Sequence, residues 1–416
     1  MNYKVISLDF ELTRSENDEQ LLAQLESIRS GENFQALIPF AKAYLGLFYV
    51  IESELAAVEK IKLLANKELA EAIIDGFKAS VLRDDITAVE QIGEAKAKQQ
   101  EFAEGYVILA GLDLITADSM DAIESVNTKI LESAIAFHFS NKTNHQNLWF
   151  EYLLKGHKEI VLPALDKYWS AMLQNKASYI PGRNLVLSDS PDIEVVQYTV
   201  LSLLEHWQNC KAKILFQLLQ LAFKYADSEE FLAVTERVLS QDEKLNEKTR
   251  LYWLATAFLL APEKYAARLS DYVGRVKLKV MPLLDFVTVI ITAKDKVNID
   301  VSDKLVAQLL RLIAPIFPPQ HHVYGALGGL DINSRNVMLI FYSLVCSDSK
   351  TVTKEIKALR KARVMKIYSG VIDNVLELHI RKNNEKDFVL PDFDSYIKYL
   401  VDNNKLDGRS NKFDLH

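Results

Sequence analysis

The residues of this 416-residue chain best suited by type to do chemistry are eight histidines, two cysteines and one run of closely spaced cations. The densest cluster of Pro, Gly and His runs from Pro315 to Asp331 and contains His321, His322 and Tyr324. A metal reading would use His321 and His322 with Asp331. Adjacent histidines diverge unless the backbone bends, however, and no fixed ligand spacing accompanies them. The stretch 315–334 therefore reads as an exposed connecting loop. Long structured loops of helical proteins often carry function, so His321, His322 and Tyr324 are candidate interaction residues. The glycines of this loop do not open a helix with GxGxxG spacing, which argues against a phosphate cradle.

His138, His145 and His157 are seven and twelve residues apart, so no pair has the i, i+4 offset of a helical metal site; they read as surface or capping histidines. The chain contains neither GxSxG nor HExxH, and its carboxylates form no pair in a recognisable catalytic context. No catalytic, cofactor or metal residue is assigned, and an enzyme is not expected. An enzyme with an unrecognised site would have to use His321 and His322, or the span from His138 to His157. Cys210 and Cys346 lack CxxC spacing and read as buried thiols in a reducing compartment.

Lys354, Lys357, Arg360, Lys361, Arg363 and Lys366 crowd onto a helix expected to begin near Thr351. Such cations contact phosphate without reading sequence. The run lacks interleaved aromatics and sits in a chain of net charge -7, so it reads first as a solvated face and only second as a nucleic-acid contact.

The elements that must position these residues are helices. Apolar residues make up 49% of the chain and charged residues 25%, with only 14 Gly and 10 Pro, a balance that favours a folded, helix-rich protein over disorder. Residues 1–15 alternate loosely and read as an arm or short strand. Beyond them, Leu69, Ile73, Phe77 and Val81 line one face of a helix over 67–83. The pattern returns at Val196, Val200, Leu203 and Trp207, at Leu215, Leu218, Ala222 and Phe223, and at Leu251, Leu254 and Phe258. Ser188–Asp192, Ala226–Ser228 and Ala261–Pro262 punctuate these stripes.

Helix pairs recur at roughly the 40 to 47 residues of HEAT-like repeats, with Trp149, Trp207 and Trp253 at comparable places. The fold expected is all-α, an irregular HEAT-like α-solenoid of antiparallel helix pairs. Its parts are a helical array over 16–176, central repeats over 177–314, the loop 315–334 and a helical cap over 335–416. Nothing at the N-terminus resembles a signal peptide. The longest apolar stretch, Leu278 to Ala293, carries Lys279, Pro282 and Asp285 and is too short to span a membrane. A cytoplasmic protein without membrane contact is expected.

Four stretches carry a resemblance: Glu68–Leu82, Gly105–Leu112, Arg250–Tyr265 and Phe388–Tyr399. They resemble the long helical region that follows the nucleotidase module in bacterial NACHT-type signalling ATPases. The likeness extends over most of the chain but rests on helix-packing patterns. The nucleotidase motif GxxxxGK[ST] is not present, so the resemblance transfers no catalytic residue and implies no ATPase activity in this polypeptide. It implies a non-enzymatic sensor or interaction module that recognises a trigger, as in antiviral relatives, and controls an ATPase and effector. A protein partner is thus expected, either that ATPase or the trigger. The alternative is a general protein-binding scaffold unrelated to defence.

Overall fold

A computed structural model describes residues 19–48, 51, 54–143, 147–208, 210–275, 280–293, 296–318, 332–385 and 387–403. Among these residues the chain is all-α: no strand forms, and the helices pack on one another as a HEAT-like helical-repeat array. The arm expected over 1–15 lies outside the described residues. The helices fall into two compact units, Met1–His206 and Trp207–His416, a division inside the span expected to hold the central repeats.

The first unit contains α1 (Leu25–Arg29), α2 (Phe34–Tyr44), α3 (Ala57–Leu64), α4 (Lys67–Ser80), α5 (Val89–Ala97), α6 (Glu104–Thr116), α7 (Thr128–Ser140), α8 (Leu148–Gly156), α9 (Lys158–Gln174) and α10 (Ile193–His206). Leu69, Ile73 and Phe77 form the buried stripe of α4, and the buried Val81 follows its last turn. Asn66 starts that helix, its side chain accepting from the Leu69 N–H at 2.9 Å. α6 packs against α2, α4 and α7 and buries consecutive residues from Gly105 to Leu112, the mark of a helix with no solvent face. The array is irregular because α9 packs on α5 and α7 as well as on α10.

Glycines let these helices approach closely. A Cβ on Gly111 would stand 2.3 Å from the Phe77 carbonyl oxygen, and one on Gly76 would stand 2.1 Å from that of Ile28. Both are shorter than any carbon–oxygen contact, so α4 meets α1 on one side and α6 on another with backbone against backbone.

The second unit contains α11 (Ala212–Tyr225), α12 (Ser228–Leu239), α13 (Glu247–Leu260), α14 (Pro262–Arg275), α15 (Met281–Thr292), α16 (Asp303–Ile313), α17 (Ile332–Cys346), α18 (Val352–Lys361), α19 (Ser369–Asn384) and α20 (Phe393–Asp402). The stripe Leu251, Leu254 and Phe258 suggests one buried face, but α13 buries every residue from Leu251 to Leu259. The reason is its neighbours: α11, α12, α14 and α15 all pack on it. Phe216, Phe223, Tyr252 and Phe286 join α11, α13 and α15 through ring contacts of 5.4 to 6.0 Å.

The apolar stretch after Leu278 becomes α15, with Leu283, Leu284, Phe286, Val287, Ile290 and Ile291 in the core. No helix of the described residues is long and apolar enough to cross a membrane.

The sequence punctuation has a structural basis. Pro262 begins α14, where its missing N–H costs nothing. Asp227 caps α12 by accepting from the Glu229 and Glu230 N–H groups at 2.9 and 3.0 Å. Asp227→Ala is expected to destabilise the second unit by about 1 kcal/mol, read as a lower urea midpoint. An unchanged midpoint would mean the cap contributes nothing.

Candidate functional site

The sequence-derived candidates separate into three sets. His321, His322 and Tyr324 lie outside the described residues, as do Asp331 and His145. His157 stands at the junction of α8 and α9 but its side chain makes no capping hydrogen bond; its Nδ1 lies 3.3 Å from a Glu159 carboxylate oxygen.

His138, expected at the surface or in a cap, is instead half-buried among aromatic side chains of the first unit. Its ring stacks on Phe150 at 4.4 Å and meets Phe139 edge-on at 4.7 Å, while the Asn147 side-chain nitrogen lies 2.8 Å from its Nδ1. The physical reason is that α8 brings Trp149 and Phe150 onto the last turn of α7. Burial among rings pushes the His138 pKa down to about 4, so the imidazole is neutral near neutral pH. Among the described residues, no group of three His, Cys, Asp or Glu could hold a metal ion.

The cysteines divide as well. Cys210 is buried, and burial pushes its thiol pKa up to about 12, which removes thiolate character. Cys346, also expected to be buried, is half-buried at the end of α17, where its carbonyl accepts from Lys382 Nζ at 2.7 Å.

The cation run survives in altered form. α18 starts at Val352, one residue after the expected Thr351. Lys354, Lys357 and Lys361 follow i, i+3, i+7 spacing, which aligns them along one exposed face. Arg360 is drawn away: its Nε lies 2.6 Å from an Asp373 carboxylate oxygen on α19. A 3-10 turn, Arg363–Tyr368, continues the edge with exposed Arg363 and Lys366. Between them stand the exposed apolar side chains Val364 and Ile367. Among the described residues, no ion pair forms to Lys354, Lys357, Lys361, Arg363 or Lys366. The edge is therefore five uncompensated cations and two apolar side chains.

Beside this edge the second unit holds an open cavity of about 820 Å³. Phe258, Val273, Leu312 and Phe317 supply apolar wall, and the exposed Met281 and Val364 stand at the rim. Val364 thus belongs to both the cavity and the basic edge. The Tyr368 hydroxyl donates to the Phe317 carbonyl, which ties the 3-10 turn to the cavity wall. Ser270 on α14, with Gln308 and Arg311 one turn apart on α16, are the polar side chains that line the cavity. Gln308 Oε1 and Arg311 Nε are both buried and have no hydrogen-bond partner among the described residues.

Sequence reasoning missed this cavity. An Arg near the C-terminal end of a helix reads as a solvated partner for the helix dipole, and only the i, i+3 spacing of Gln308 and Arg311 hinted at a shared wall.

Comparison with known proteins assigns no class here: no protein-family model matches the chain, and no curated protein or solved structure is significantly similar to it.

Proposed function

We propose that this chain is a non-enzymatic helical-repeat interaction module. In this reading it acts like the region that recognises a trigger and controls a NACHT-type signalling ATPase in antiviral defence. The observation that carries the reading is the edge formed by Lys354, Lys357, Lys361, Arg363 and Lys366 around Val364 and Ile367. In a chain of net charge -7, five neighbouring cations with no carboxylate paired to them among the described residues present a local field opposite to that of the whole molecule. Apolar side chains among them add the desolvated contact that protein interfaces need at their centre. The partner fitting this edge is an acidic protein surface with an apolar anchor, and the ATPase of such a system is the partner the resemblance points to.

A second reading uses the same five cations to contact nucleic-acid phosphate. It predicts that the full chain is retained on double-stranded DNA at low salt and released steeply as salt rises. No retention at low salt eliminates it.

The defence assignment is tested by the DNA flanking the Met1 codon. A reading frame in frame with it or adjacent to it, and encoding GxxxxGK[ST], is the expected result. A flank without one contradicts the ATPase assignment and leaves a binding scaffold of another system.

A further inference from the structure

We propose that the cavity of the second unit is a binding site for a small apolar molecule bearing a single carboxylate, the chemistry of a medium-chain fatty acid. This goes beyond the proposed protein contact and does not depend on it. The volume of about 820 Å³ lies within the roughly 300–1,000 Å³ of small-molecule sites, and the wall is predominantly apolar with a few polar side chains, of which Arg311 is the charged one, the arrangement that orients an amphipathic ligand.

The head group follows from Arg311. Among the described residues its Nε is buried without a hydrogen-bond partner, and no ion pair involves it. Arg311 is half-buried in a mainly apolar wall and has no carboxylate paired to it among the described residues, so a ligand carboxylate in the cavity is its natural counter-charge and can take two parallel N–H donors of the guanidinium on its two oxygens. Gln308, one turn before it, adds an amide whose oxygen is also buried and unpartnered. With its oxygen turned inward, that amide has its NH₂ left to donate to the same carboxylate. One cation and one amide match a monoanion; a phosphate would leave several acceptor oxygens unsatisfied. Arg363 and Lys366 flank Val364 at the rim and favour the approach of an anion.

The site can be blocked without strain. A Cβ on Gly274, which lines the cavity, would meet nothing within 4 Å, and the residue lies in α14 where a side chain is tolerated. Isothermal titration calorimetry of the full chain with sodium decanoate tests the proposal, with 1-decanol as the uncharged control. The expected result is saturable one-to-one binding of decanoate. Arg311→Gln should weaken it at least tenfold, and Gly274→Phe should abolish it with thermal melting unchanged. Decanol should bind more weakly and be indifferent to Arg311→Gln. Absence of decanoate binding overturns the site. Decanoate binding that survives both substitutions overturns it equally, because the ligand would then be held elsewhere.

Discussion

Gly111→Val is expected to destabilise the first unit by about 3 kcal/mol or more, at the upper end of overpacking effects. The smallest side chain already places a Cβ 2.3 Å from the Phe77 carbonyl oxygen and 2.8 Å from Val81 Cγ1. A backbone carbonyl cannot swing aside as a flexible side chain can, so α6 and α4 must separate. Separation would open voids around Leu109 and Phe77, both fully buried. Gly156→Ala is the matching control, since a Cβ there meets nothing within 4 Å. Urea unfolding followed by circular dichroism should show a large drop in midpoint for Gly111→Val and none for Gly156→Ala. Equal midpoints for the two variants would refute the close crossing.

The second large effect is a loss of stability in acid. His138 has a folded-state pKa of about 4, against an unfolded value near 6.5. The unfolded chain therefore takes up a proton below about pH 6.5 while the folded chain does not, and stability falls as pH drops from about 6.5 to about 4. Over that interval the loss from this group approaches about 3 kcal/mol, at about 1.4 kcal/mol per pH unit. His138→Gln keeps a neutral polar side chain beside Asn147 and removes the titration. Its stability should be lower than wild type at pH 8 but should lack the His138 component of the acid decline. The check is the difference between the two pH profiles. Profiles that run parallel from pH 7 to pH 4 would contradict the assignment.

Particular residues show how far the sequence carries. Leu69, Ile73 and Phe77 were legible as a buried stripe because a helix repeats its face every three to four residues, and Ala226–Ser228 was legible as a break between helices, where the structure shows Asp227 capping the next one. The all-round burial of α13 was not legible, since periodicity registers only the contrast between faces and α13 has little. His138 was misplaced for a related reason: what encloses it is Phe150, brought onto it by a separate helix. Gly111 marks the limit most plainly, because a close crossing depends on which backbone lies opposite.

The candidate site shows the same divide. The cations of α18 were readable from their spacing. The capture of Arg360 by Asp373 was not, because the partner lies on the next helix. The cavity wall at Arg311 and Gln308 depends on how α14, α15, α16 and the turn at Val364 come together, which no local pattern encodes.

The central claim is that the chain works by presenting the basic edge to an acidic protein partner. It is tested most directly by measuring the affinity of the full chain for the ATPase that the proposed function assigns to it, comparing wild type with a Lys354→Glu, Lys357→Glu, Lys361→Glu variant. The account predicts that wild type binds, that binding weakens as salt rises, and that the triple variant binds at least tenfold more weakly while melting at the same temperature. Equal affinity of wild type and variant, at low and at high salt, would contradict it.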